Sequence, residues 1–138
     1  MRRLASLLKE SRATAAVEFA LVLPVFLVLV FGIVELGSAW YQKQMLVNAS
    51  RVGARMGSLL NDTTTNTAAQ VKTAVTQYLQ TAGYPGAFTV TTSGVDGNAG
   101  DQVQVTVTSN FQLPVLGNLI PGSLSSVTLQ GVTVMRHE

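Results

Sequence analysis

The chain lacks cysteine, has one histidine, and carries charge on only 12% of its 138 residues. The lack of cysteine excludes a disulfide framework, a thiolate metal site and a cysteine nucleophile. His137 lies next to the last residue, where chains are usually frayed, so we expect a solvated side chain rather than a catalytic one. No glycine-rich phosphate loop is present. The acids that follow Glu35 fall in predicted loops or at the terminus: Asp62, Asp96, Asp101 and Glu138. The sequence thus predicts neither an enzyme nor a cofactor or metal site.

Charge is missing altogether from residues 19–34, which as a helix cover roughly 24 Å at ~1.5 Å per residue. Continued to Tyr41, with Glu35 as its one acid, this stretch is long enough to cross the ~30 Å hydrocarbon core of a bilayer. Trp40 and Tyr41 then fall where interfacial aromatic residues belong. The basic residues that precede the stretch predict a cytoplasmic N-terminus and an external C-terminal part: Arg2, Arg3, Lys9 and Arg12.

Three interpretations of the apolar stretch compete. A buried core helix would need apolar cover on all sides, which a chain of 138 residues has little material to supply. A secretory signal peptide would be cut near Gly37-Ser38-Ala39, but its apolar region is usually only ~7–15 residues long. A retained membrane anchor fits the length best. The net charge of +2 is too small to argue for nucleic-acid binding, and nothing indicates a small-molecule substrate.

The sequence RATAAVEFALVLP at residues 12–24, followed by GIVELG at residues 32–37, resembles the TadE-like proteins. These are minor pilins, or pseudopilins, of the tight-adherence (Flp) pilus system of bacteria. The resemblance implies that a membrane prepilin peptidase cuts between Ala13 and Thr14, with Ala13 in place of the family's usual glycine. Glu18 is then the glutamate at the fifth position of the mature chain, and Phe19 is the aromatic residue that follows it.

The acids in the apolar stretch call for a physical role. In a filament of packed helices, Glu18 would pair with the free α-amino group of a neighbouring subunit, and such a pair is costly to break at low dielectric. For Glu35 we expect either contact with water near the headgroups or contact with another Tad component. Pro24 removes one backbone hydrogen bond and loosens the helix. Gly32 and Gly37 complete the positions in the stretch that we assign to helix packing and assembly.

Beyond Tyr41 the helix is predicted to continue to a stop at Asn61-Asp62. Ala49, Gly53 and Gly57 are spaced four apart and form a strip of small side chains on one face, where another backbone can approach closely. Packing of this small-residue strip against the chain's own sheet is favoured over its use as a docking surface.

The remaining sequence contains a second helical pattern and then apolar residues that recur at every second position. Thr67 and Gln70 predict a capping box, from which a second helix runs to about Ala82. Its predicted buried face consists of Val71, Val75, Tyr78 and Ala82. Apolar residues then alternate with polar ones in three segments, around residues 88–91, 103–108 and 127–130, as in an antiparallel sheet. The alternation slips at Gly131, where we expect a bulge.

Two predicted connections between strands could have a specific binding role. Residues 96–101, DGNAGD, offer oxygen ligands for calcium but lack the spacing of an EF-hand loop, and a hairpin connection is favoured. Residues 113–122, LPVLGNLIPG, are an apolar connection. This connection either contacts a partner or the membrane, or folds back onto the domain's own core.

The sequence therefore predicts an α+β protein with a long N-terminal helix, a second helix and a three-stranded antiparallel sheet. Its predicted parts are a basic cytoplasmic leader (1–13), a membrane-crossing helix (14–41) and an extracytoplasmic domain (42–138). The function implied by the resemblance is that of a minor pilin in the inner membrane, with prepilin peptidase, other pilins and Tad assembly proteins as partners. Two alternatives stay open: an uncut membrane-anchored assembly subunit, and an exported binding domain released after Ala39.

Overall fold

The helical and strand periodicities of the sequence both appear in the structure, a computed structural model. It describes residues 2–59, 67–119 and 125–138, with side chains from residue 13 onward apart from that of Leu119. The elements in chain order are α1 (Arg2–Ser58), α2 (Ala68–Thr81), β1 (Phe88–Ser93), β2 (Gln102–Gln112), α3 (Leu116–Leu119) and β3 (Ser126–Arg136). The predicted α+β arrangement is therefore confirmed.

Helix α1 continues without interruption through Pro24 and ends at Ser58. The hydroxyl of Ser58 donates a hydrogen bond to the carbonyl oxygen of Arg55 at 3.0 Å and so satisfies one carbonyl of the last turn. The predicted stop at Asn61-Asp62 lies outside the described residues. Helix α1 is thus one rod that runs from the apolar stretch into the globular part of the protein.

The sheet has the order β1–β2–β3, and both strand pairs are antiparallel. The pairing of β2 with β3 keeps one register from Gln102↔Arg136 to Gln112↔Ser126, so the predicted bulge at Gly131 is wrong. A Cβ atom on Gly131 would lie 2.5 Å from the backbone carbonyl of Leu46, where α1 crosses the strand. The alternation slips because this crossing excludes a side chain, and Val132 and Val134 consequently lie on the outer face, 45% and 50% exposed.

The core lies between the inner face of the sheet and the two long helices. Helix α2 begins with the predicted capping box: Gln70 Oε1 accepts from the Thr67 amide at 2.8 Å, and the Gln70 amide donates to Thr67 Oγ1 at 3.4 Å. Its fully buried side chains are Val71, Val75 and Leu79. The prediction was wrong in placing Ala82 on this face, because the helix ends at Thr81 and Ala82 is its exposed cap.

The end of the chain is part of the fold. His137 is 5% exposed, and its Nε2 lies 2.8 Å from the carbonyl oxygen of Gly94 in the β1–β2 loop. Its backbone amide donates to the carbonyl oxygen of Asp101 at 2.9 Å. The expectation of a solvated side chain is therefore wrong, because the antiparallel pairing of β3 with β2 carries His137 beside the β1–β2 loop. In that loop the Asp101 carboxylate accepts from the Asn98 amide at 2.8 Å, as in the favoured hairpin interpretation.

Candidate functional site

The first half of α1 exposes a large apolar surface. Phe19, Leu21 and Val25 are 65%, 73% and 69% exposed. Within residues 13–58, the most apolar window of eighteen residues is only 6% buried, and the helix is long and apolar enough to cross a membrane. A core helix would be mostly covered by its own protein. An apolar surface of this extent on a soluble protein would be unusual and indicates a site of interaction.

Four residues assigned to processing lie together on this exposed part of α1: Ala13, Thr14, Glu18 and Phe19. Thr14 and Glu18 are four residues apart, which places them about one helical turn from each other along α1. The Glu18 side chain is exposed, so its carboxylate is accessible to a group outside the chain. The structure thus brings the processing residues into one short exposed segment.

Glu35 has a different environment from Glu18, because it is 7% exposed and bound by the chain itself. Its Oε1 accepts a hydrogen bond from the backbone amide of Val115 at 2.6 Å, and its Oε2 accepts from that of Leu116 at 3.1 Å. Hydrogen bonds to an ionised carboxylate are roughly twice as strong as neutral ones. The expectation that Glu35 would simply contact water is therefore wrong. Its carboxylate holds the first turn of α3 against α1.

The bound segment belongs to the β2–β3 connection, whose described residues are 113–119 and 125. Leu113 is 7% exposed, and the Leu116 side chain lies 3.7 Å from the position that a Cβ atom on Gly32 would occupy. The part of the connection that the structure describes folds back onto α1 of its own chain, outside the main hydrophobic core. It packs on the apolar half of α1, on the N-terminal side of the part of the helix that the sheet and α2 cover.

Two apolar grooves follow the contact between the β2–β3 connection and α1. The first has a volume of about 290 Å³ and is lined by Pro24, Leu27, Val28, Phe31 and Val115. The second, of about 490 Å³, shares Phe31 and Val115 with the first and is also lined by Glu35.

Gly37 lies on the exposed side of α1, away from these grooves. A Cβ atom added to it would have no neighbour within 4 Å.

The small-residue strip is covered by the chain's own core. A Cβ atom on Gly53 would lie 2.5 Å from Val75 Cγ2, and one on Gly57 would lie 2.9 Å from Val103 Cγ1. Ala49 is fully buried. Packing against the chain's own sheet, the favoured interpretation, is what the structure contains. The strip is not exposed as a docking surface in this fold.

Sequence reasoning considered Glu35 and the apolar connection separately and missed the contact between them. The two amide donors, of Val115 and Leu116, follow Pro114, and their chemistry leaves no trace in the side-chain sequence. The sequence did contain one indication of this contact, because an acid in an apolar helix and an uncharged apolar loop occur in the same chain. An acid at that position requires a partner, and backbone amides in such a loop require one too.

A comparison with known families recognises the part of the chain that contains the exposed apolar half of α1 and its two glutamates. The model of the TadE-like protein family matches residues 13–55. This match confirms the resemblance over that segment and relates the chain to the Tad pilus system, whose TadE-like proteins are not known as enzymes. Comparisons with curated proteins and with solved structures gave no significant match.

Proposed function

We propose that the chain is a TadE-like minor pilin or pseudopilin that takes part in assembling a Flp-type pilus. The observation that carries this proposal is the family match at residues 13–55, centred on a helix that exposes its apolar half. In this proposal α1 crosses the inner membrane with its N-terminus in the cytoplasm. The sheet and α2 then lie outside, where they can contact other pilins.

The proposed maturation step is a cut between Ala13 and Thr14 by a prepilin peptidase. The cut leaves a free α-amino group on Thr14, about one helical turn before the exposed carboxylate of Glu18. In a bundle of pilin helices, the amino group of one subunit pairs with Glu18 of its neighbour. Because an uncompensated charge at low dielectric is costly, the pairing favours one axial register of the subunits.

Two other functions are compatible with the family match. An uncut assembly subunit would use the same anchor, and the presence of Ala13 in place of the family's usual glycine favours it. Release of an exported domain after Ala39 is disfavoured by a specific contact. A cut there would separate Glu35 and Gly32 from the Val115 and Leu116 groups that they contact.

The processing step is tested by the intact mass and N-terminal residue of the protein isolated from its native membrane. We expect a chain that begins at Thr14. An Ala13→Gly variant should be cut at least as completely, because glycine is the residue that the family usually has there. Full-length protein that still carries Arg2 would overturn the minor-pilin proposal and favour the uncut assembly subunit. A chain that begins at Trp40 would favour the released domain.

A further inference from the structure

The β2–β3 connection contacts α1 inside the segment that is proposed to cross the membrane. Trp40 and Tyr41, 65% and 64% exposed, mark the outer end of that segment, and Lys43 Nζ lies 5.9 Å from the Trp40 ring. Aromatic and basic side chains of this kind collect at the headgroup level. Glu35 precedes Trp40 by about 8 Å along the helix, and Gly32 by about 12 Å, at ~1.5 Å per residue. Both contacts therefore lie on the hydrocarbon side of the aromatic pair.

Irregular backbone at that depth requires an internal partner for every amide. The connection meets this requirement from Leu113 to Gly117. The Leu113 amide donates to the Ser125 carbonyl at 3.0 Å, Pro114 has no N–H, and the Gly117 amide donates to the Leu113 carbonyl at 2.9 Å. The remaining two amides, of Val115 and Leu116, donate to Glu35. Glu35 thus supplies the two acceptors that the connection itself lacks.

The side chains of the connection also suit a lipid environment. No charged residue occurs from residue 113 to residue 125. The one amide side chain with a described contact, that of Asn118, donates to the Pro114 carbonyl at 2.8 Å. Val115 closes an apolar groove whose other walls are Pro24, Leu27, Val28 and Phe31, all on the apolar half of α1. At this groove Val115 therefore extends the apolar surface of α1.

We propose that residues 113–119 of the β2–β3 connection enter the outer leaflet of the bilayer beside α1, with lipid acyl chains as their partner. This inference rests on the membrane placement in the proposed function. Glu35 is a positioning residue in this arrangement, because it satisfies the two amides that would otherwise face hydrocarbon. The globular part is then held at the membrane by two elements, α1 and the connection, and this fixes its height and orientation above the surface.

The absence of cysteine in the chain permits a direct test with single spin labels. Full-length variants Val115→Cys, Asn118→Cys, Val25→Cys and Thr91→Cys are labelled and reconstituted in vesicles of phosphatidylethanolamine and phosphatidylglycerol. Collision rates with oxygen, which concentrates in hydrocarbon, are compared with those of a water-soluble nickel complex. Val25 is the lipid control on α1, and Thr91, exposed on β1, is the aqueous control.

The labels at positions 115 and 118 should have oxygen-to-nickel ratios close to that at position 25 and several-fold above that at position 91. Adding Glu35→Gln to the Val115→Cys variant should lower the ratio several-fold, as the connection leaves the leaflet. Low oxygen-to-nickel ratios at both 115 and 118, with a high ratio at 25, would overturn the inference and leave the membrane anchor intact. Nickel-dominated ratios at all four positions would overturn the anchor itself.

Discussion

The two halves of α1 differ in how far the rest of the chain covers their apolar side chains. Before residue 35 the helix exposes bulky apolar groups, such as Phe19 and Leu21 at 65% and 73%. After residue 45 its buried face includes Ala49, Gly53 and Gly57. At Gly53 and Gly57 the sheet and α2 approach the helix so closely that only small groups fit between them. Leu46 is fully buried as well, so the second half buries apolar side chains of both sizes, whereas the bulky apolar groups of the first half are left for an environment outside the protein.

The two glutamates of α1 show the same difference between the halves. Glu18 is exposed on the bare part of the helix, whereas Glu35 lies where the β2–β3 connection begins to cover it. The same functional group thus has an intramolecular partner in one place and an accessible carboxylate in the other. The Glu35 carboxylate therefore acts within the fold, whereas that of Glu18 is accessible to a partner outside the chain, as the proposed function requires.

The largest expected effect comes from adding a side chain where the helix and sheet approach most closely. In a Gly131→Ala variant the new methyl group would meet the Leu46 carbonyl and the Val47 amide, both backbone atoms that cannot rotate away. Overpacking of this kind should lower the free energy of unfolding by about 3 kcal/mol. The measurement is denaturant unfolding of the full chain in detergent micelles, followed by the β-sheet circular dichroism signal.

Gly37→Ala is the matched control for Gly131→Ala, because nothing lies within 4 Å of its added methyl group. At this exposed helical position alanine should leave stability unchanged or raise it by roughly 0.5–1 kcal/mol. Equal effects of the two substitutions would contradict the close crossing of α1 over β3.

An intermediate effect is expected from neutralising the two glutamates separately. Glu35→Gln keeps the shape of the side chain but replaces two charge-assisted hydrogen bonds, so we expect a loss of about 2 kcal/mol in the free energy of unfolding. Glu18→Gln should leave the unfolding curve and membrane insertion unchanged and reduce incorporation into pili, because the partner proposed for Glu18 lies in another subunit. Unfolding in micelles and the amount of protein in sheared pilus fractions separate the two effects.

A loss of stability in Glu18→Gln would show that Glu18 also has a role within the fold. Assembly of Glu18→Gln at the level of the unaltered protein would contradict the pairing of Glu18 with a neighbour's amino group.

The sequence was a good guide where one local pattern determines the outcome. The capping box at Thr67 and Gln70, the alternating strands and the length of the apolar helix each reflect residues close together in the chain. The spacing of Ala49, Gly53 and Gly57 also predicted a close approach of another element. In each case the residues that form the pattern lie close together within one element.

The sequence was a poor guide where the outcome depends on contacts between distant residues. The slip at Gly131 is caused by α1, more than eighty residues earlier in the chain, so a local bulge was the wrong explanation. His137 is buried because β3 carries it to Gly94. The partners of Glu35 are backbone amides in the β2–β3 connection, so the sequence could indicate only that an acid and an apolar loop each required a partner, and not that they contact each other. These contacts become visible only when the strand order and the path of α1 are known.

The smallest effect that should separate the covered half of α1 from the exposed half concerns two serines. Ser50 is fully buried, and its hydroxyl lies 2.7 Å from that of Thr133 on β3, whereas the hydroxyl of exposed Ser38 reaches only the Val34 carbonyl within its own helix. Ser50→Ala leaves the Thr133 hydroxyl without this partner and should lower the free energy of unfolding by about 1 kcal/mol. Ser38→Ala should have no measurable effect.

Adding Thr133→Val to Ser50→Ala should recover much of the loss, because removing both partners leaves no polar group unsatisfied. Thr133→Val alone completes the comparison, and a double variant that loses the sum of the Ser50→Ala and Thr133→Val effects would show that the two hydroxyls do not stabilise each other.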